Sequence, residues 1–126
     1  MVLSSLPWST WSSLPELMEK LMLYTRVLPP TLNAEVTLAD GKLVLEVLKS
    51  GKRAVVVTVS SSAGMPVSEV SVRSPYEARL TKEEKEVLAT FVNIVLDAVY
   101  SRVGNIAGVV LHKAFASVII EGIDEE

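Results

Sequence analysis

The chain contains no cysteine and no glutamine, a single histidine (His112), and only three asparagines, at Asn33, Asn93 and Asn105. Without thiols there is no disulfide framework, no cysteine nucleophile and no zinc–sulfur site. With one imidazole, any Ser-His-Asp triad or multi-histidine metal site depends on His112. Shortage of Cys, Gln and Asn beside abundant Val, Lys and Glu is the pattern expected of a hyperthermophile protein; the alternative is chance in a short chain. Long apolar runs are missing too, since none approaches the ~18 residues of a membrane-spanning helix. Met1–Leu6 carries no positive n-region and Leu14–Leu28 is amphipathic, so the start does not read as a signal peptide. No membrane partner is expected, and the expected location is the cytoplasm.

What is present is globular: 126 residues, 49% hydrophobic and 21% charged, enough for one domain with a core of useful size. The expectation is a single α+β domain over 1–126, with an extended segment at 1–12 and an acidic tail at 121–126. The formal net charge is −3, which disfavours a polyanionic ligand only as an average. Resolved along the chain it is uneven. Residues 42–82 hold seven basic side chains against three acidic ones, a balance of +4, whereas Glu121, Asp124, Glu125 and Glu126 crowd the last six positions. That tail is a candidate competitor for the basic surface.

Ser4-Ser5-Leu6-Pro7-Trp8 returns as Ser12-Ser13-Leu14-Pro15-Glu16, and each copy resembles a helix start. Ser13 with Glu16 forms a capping box, with Pro15 in the tolerant first turn. Leu14, Leu17, Met18, Leu21 and Leu28 then share a face at 3.6-residue spacing. Pro29-Pro30 ends this helix, because a residue before proline is pushed out of helical dihedrals. Leu32–Leu38 alternates as a strand, and Asp40-Gly41 supplies a two-residue type I′ turn. The register places Leu38 opposite Leu43, Val36 opposite Leu45, and Ala34 opposite Val47. It also places Glu35 opposite Glu46, a like-charge pair that needs a cation or open water.

Lys49–Arg53 reads as a bulged three-residue loop with Gly51 left-handed, which turns Val55, Val57 and Val59 toward the core. Ala54–Val59 reads as a central strand. A fourth strand, about Val67 to Arg73, changes apolar phase, implying a β-bulge or an edge position. Thr81 and Glu84 form a second capping box, opening a long helix that Gly104 stops. Its apolar arc is too wide for one sheet face, so helix 14–28 or another subunit must provide a second contact. Ile106–Ile123 is rich in β-branched residues and reads as one or two strands; a helix over His112–Glu121, capped by Gly122, is the alternative. The expected fold is an antiparallel meander of four to six strands with an N-terminal helix and a long helix packed on it.

Motifs for chemistry are sparse. Ser50-Gly51-Lys52-Arg53 lacks the upstream glycine and the Ser/Thr of a phosphate-binding loop. Ser61 or Ser62 with His112 has no nucleophile elbow, and Glu35, Glu46 and Glu69 lack ligand spacing for a metal. No catalytic residue, metal or cofactor is therefore expected. Basic residues with aromatics close by suit single-stranded nucleic acid, where cations track phosphates and rings stack on bases. The candidates are Lys49, Lys52, Arg53, Arg73 and Arg79 for phosphate, and Trp8, Trp11 or Tyr76 for stacking. The bland alternative makes Lys49–Arg53 a solubilising hairpin tip and both tryptophans packing anchors.

A capped helix, a meander through Leu32–Val47 and Ala54–Arg73, and a long helix from Thr81 resemble the ThermoDBP-type single-stranded-DNA-binding proteins of hyperthermophilic archaea. The resemblance lies in element order and composition, so no site is carried over. It implies a small α+β domain in an oligomer, with apolar side chains contacting bases beside lysines and arginines. The expected function is thus non-enzymatic binding of single-stranded DNA or RNA by a homo-oligomer, a dimer or tetramer. The alternative is a protein-interaction or assembly-chaperone subunit whose helix 82–103 and tryptophan pair make the oligomer contacts.

Overall fold

The computed structural model describes residues 14–60, 69–101 and 106–126. The order is α1 (Leu14–Tyr24), continued by a 3-10 turn at Thr25–Val27, then β1 (Asn33–Ala39), β2 (Lys42–Lys49), β3 (Lys52–Ser60), β4 (Glu69–Arg73), α2 (Lys82–Tyr100) and α3 (Ile106–Glu121). The strands form one antiparallel sheet in sequential order. The α+β meander expected from the sequence is therefore present, with four strands.

The β1–β2 register matches the pattern of the chain residue for residue, including Glu35 opposite Glu46. Asp40 and Gly41 have φ of 52° and 71°, both left-handed, as a type I′ turn requires. The second hairpin departs from expectation. Ser50 and Gly51, at φ 52° and 78°, make another two-residue turn, with Lys49 paired to Lys52. Continued evenly, that turn would send Val56 inward and Val55 and Val57 outward. Instead Leu48 pairs with Arg53 and Val47 with Val55, so Ala54 is the extra residue of a β-bulge. The inserted residue reverses the side-chain phase, so Val55, Val57 and Val59 join the core cluster, whereas Val56, also buried, lies outside it. The expected phase is correct, but a bulge sets it rather than a longer loop. Ser74 Oγ donates to the Ala54 carbonyl at 2.6 Å, satisfying a group at the irregular position.

Strand β4 sits at the sheet edge and turns Val70 and Val72 to the core side, opposite Val59 and Val57. Val67, Ser61 and Ser62 lie outside the described residues, as do Ser13 and Gly104. In α1, Leu14, Leu17 and Leu21 are buried, with Met18, Tyr24 and Leu28 packed at the margin. In α2, Leu88, Phe91, Val92, Val95, Leu96 and Val99 are buried.

Residues 106–121 are a helix, which corrects the strand expectation. Strand propensity mostly reflects how a side chain packs, and here the packing phase is helical: Val109, Ala116, Ile119 and Ile123 follow at steps of seven, three and four residues and, with Ile120, pack in the core. Helix α1 contacts α2, as expected of helix 14–28, and α3 adds a further contact that the sequence reading did not foresee. Lys113 Nζ lies 2.6 Å from Asp97 Oδ1, and Tyr100 OH is 2.5 Å from His112 Nδ1. Burial pushes the Tyr100 phenol up from its ordinary pKa. Beyond α3, Ile123 is buried. Leu80 N–H donates to the Asp124 carbonyl, and Glu126 N–H donates to the Leu80 carbonyl, each at 2.9 Å.

Candidate functional site

Three of the five nominated cations, Lys49, Arg53 and Arg79, are held by groups of the chain itself. Lys49, at the end of β2, donates to Glu84 Oε1 at 2.7 Å and to Glu126 Oε1. Those two carboxylates, Glu126 foremost, hold its pKa above the ordinary value. Glu84 Oε1 also accepts the Thr81 N–H at 2.9 Å, while Thr81 Oγ1 accepts the Glu84 N–H at 3.1 Å. The capping box expected at Thr81 is thus formed, and its glutamate doubles as an ion-pair partner. Burial alone would raise the Glu84 pKa. The Lys49 ammonium, the Thr31 hydroxyl and the Thr81 N–H outweigh burial and bring it down to about 2.

Arg53 is engaged at the bulge. Its Nη2 donates to Glu77 Oε2 at 2.7 Å, while its Nε and backbone N–H both donate to Oε1. This pairing lowers the Glu77 pKa and raises that of Arg53. Arg53 Nη1 also lies 3.7 Å from Glu46 Oε2, so the cation needed by the Glu35–Glu46 pair comes from β3. Arg79 Nη2 donates to the Glu125 carbonyl at 2.9 Å. The acidic tail expected to compete for basic groups lies against Lys49 and Arg79.

Lys52 and Arg73 remain; among the described residues neither forms an ion pair within 4.0 Å, although the Arg73 charge adds to Arg53 in lowering the Glu77 pKa. Tyr76 is exposed at a φ of 56°, three residues beyond Arg73. Trp8 and Trp11 lie outside the described residues. Glu69 opens β4, exposed and far along the ladder from the Glu35–Glu46 pair. Among the described residues no three His, Asp or Glu side chains gather as for a metal ion, and no helix is long and apolar enough to cross a membrane. A cleft between α2 and α3 is lined by Lys82, Lys85, Glu86, Glu121 and Glu125, charges of both signs around Ala89, Ser117 and Ile120.

The largest feature that residue-type reasoning missed is apolar. On α3, Val110, Leu111, Phe115 and Val118 are 58%, 71%, 56% and 70% exposed, and Ala114 is exposed between them. Positions 111, 115 and 118 follow the i, i+4, i+7 spacing of one helix face, opposite the core-facing Ala116, Ile119 and Ile120. The sequence reading gave oligomer contacts to helix 82–103. In the fold that helix is covered by α3, and α3 carries the open stripe. The helical spacing of Val109, Ala116, Ile119 and Ile123, steps of seven, three and four residues, was the signal that could have found it. Comparison with family models, curated proteins and solved structures finds no match to this chain.

Proposed function

We propose that the chain is a non-enzymatic protein-interaction subunit that docks through the outward face of α3. The observation that carries this reading is the unbroken stripe of Leu111, Phe115 and Val118 with Val110 beside them, each more than half exposed. Solitary surface leucines are ordinary, but a contiguous apolar face on one helix marks an interaction surface. The experiment is paired sedimentation velocity and ANS fluorescence on the full chain and on Leu111→Glu/Val118→Glu. Concentration-dependent assembly, or strong dye binding by a monomer, is expected for the natural sequence and lost in the double variant. Identical behaviour of the two proteins overturns the reading.

A second reading, single-stranded nucleic acid, is favoured by a different observation. Lys52 and Arg73 hold no ion pair among the described residues, and Tyr76 presents an exposed ring close in sequence to Arg73. The ligand would follow the β4 edge, with both cations on phosphates and Tyr76 on a base. Titration with a labelled oligo(dT) at several salt concentrations tests it. A log-affinity that falls linearly with log salt and weakens in Arg73→Ala supports the reading. No binding at low salt overturns it.

A further inference from the structure

We propose that the strip along Leu80 is a recognition groove for an extended acidic peptide of a partner protein, held shut by residues 124–126 of this chain. The groove is separate from the exposed face of α3 and does not depend on it.

The present occupant defines what the groove accepts. Leu80 N–H donates to the Asp124 carbonyl, and the Leu80 carbonyl accepts the Glu126 N–H, each at 2.9 Å. Leu80 and Glu125 thus form a one-residue parallel bridge. Consecutive side chains of an extended segment point to opposite sides. Glu126 accordingly meets Lys49, while Glu125 Oε1 lies 4.0 Å from Lys85 Nζ. Arg79 Nη2 donates to the Glu125 carbonyl at 2.9 Å. Main-chain pairing sets the register of a bound strand, and the flanking lysines select acids at two adjacent positions.

The receiving half of the groove is held in place without the tail. Lys49 is paired with Glu84 at 2.7 Å, and Lys85 Nζ donates to the Glu121 carbonyl at 3.2 Å. Both lysine side chains are nearly buried, at 14% and 11% exposure, whereas those of Glu126 and Glu125 are 54% and 61% exposed. Ile123, directly before the strand, is anchored in the core, so residues 124–126 can lift without unpacking α3. A preorganised receptor under a lightly held strand suits replacement of one acidic segment by another. The tethered strand competes at high effective concentration, and it lowers the apparent affinity of an incoming peptide by the fraction of chains that are open.

Leu80 also discriminates between polyanions. Its N–H needs an acceptor and its carbonyl needs a donor. A peptide backbone supplies both, whereas a phosphodiester backbone supplies acceptors alone. The groove therefore fits an acidic peptide rather than a nucleic-acid strand.

The probe is a fluorescein-labelled Gly-Ile-Asp-Glu-Glu amide, followed by anisotropy on the full chain. Glu125→Gln/Glu126→Pro removes both carboxylates and the N–H that reaches the Leu80 carbonyl, which opens the groove. This variant should bind the probe at least ten-fold more tightly than the natural sequence. Glu126→Gln, the milder opening, should shift affinity in the same direction by a smaller factor. N-methylation of the last glutamate of the probe should cost ten-fold or more, a loss that no change in the protein's own folding can mimic. Lys85→Met in the opened variant should weaken binding several-fold. Equal binding by the natural and both opened chains overturns the proposal, as does an N-methylated probe that binds as well as the parent. Displacement of the probe by oligo(dT) as readily as by unlabelled peptide also overturns it, and assigns the strip to nucleic acid instead.

Discussion

Lys49 Nζ and Glu84 Oε1 lie 2.7 Å apart across 35 positions of sequence, so one ion pair joins the end of β2 to the cap of α2. The same oxygen accepts the Thr81 N–H. Hairpin and helix start are thereby one electrostatic unit, and Glu84 sits at its centre in a buried position.

Acid should dismantle this unit. The Glu84 pKa falls from its ordinary 4.5 to about 2 on folding, so the folded state favours the charged carboxylate. Its contribution is complete above about pH 4.5 and is lost as pH falls from there through 2. The shift corresponds to about 3 kcal/mol of pH-dependent stability. Glu84→Gln should flatten that part of a urea-unfolding profile measured from pH 7 to 2. It should also lower stability at pH 7 by about 2–4 kcal/mol, because a cap is weakened and Lys49 loses a partner. An unchanged pH profile contradicts this account.

Glu126 offers a contrast. It also binds Lys49 but is more than half exposed, and Lys49 keeps Glu84. Glu126→Gln should leave the melting temperature within about 2 °C, as surface ion pairs contribute little. If the β4-edge reading holds, the variant should bind oligo(dT) a few-fold more tightly, because a tethered anion near the basic groups is gone. Fluorescence anisotropy at 50 mM salt measures the second effect, and a weaker complex counts against it.

The bulge at Ala54 should tolerate deletion of its extra residue. Without Ala54 the Ser50-Gly51 turn continues evenly and Val47 still pairs with Val55, so Val55, Val57 and Val59 keep their face. The loss is local: a buried alanine goes, and Ser74 Oγ loses the carbonyl it donates to. The deletion is expected to cost about 1–3 kcal/mol in urea unfolding with cooperativity retained. A chain without a cooperative transition contradicts this account.

By the same geometry Ser50→Asn should stabilise the chain. Ser50 occupies a left-handed position at φ 52°, where asparagine is more comfortable and Asn-Gly is the preferred type I′ pair. A gain of about 0.5–1 kcal/mol in urea unfolding is expected. Gly51→Ala, at φ 78° in open space, should cost a similar amount from backbone conformation alone.

These predictions mark what could be read from the chain. Asp40-Gly41, the alternation around it and the T-x-x-E box are local patterns, and each formed as written. The valine phase of β3 was legible, but whether a loop or a bulge set it was not, because both satisfy the same parity. Helix α3 was misread because its β-branched residues speak for strand locally, whereas the partner face on α2 decides between the two periods. The partners of three nominated cations were hidden for a related reason. Lys49, Arg53 and Arg79 look free in sequence, and the Glu126 and Glu77 carboxylates and the Glu125 carbonyl that hold them lie 24 to 77 positions away.

The sequential order of the sheet also has a kinetic consequence. Every strand pairs with its chain neighbour, and the first two turns span two residues each, so the meander assembles by short-range closures. Helices α2 and α3 are likewise adjacent in the chain. Low contact order of this kind favours folding in milliseconds or faster. The long closures, Lys49 to Glu84 and Leu80 to Glu125, join two units that can each form first. Substitutions at those closures should therefore act mainly on the unfolding rate, leaving the refolding limb of a chevron nearly unmoved.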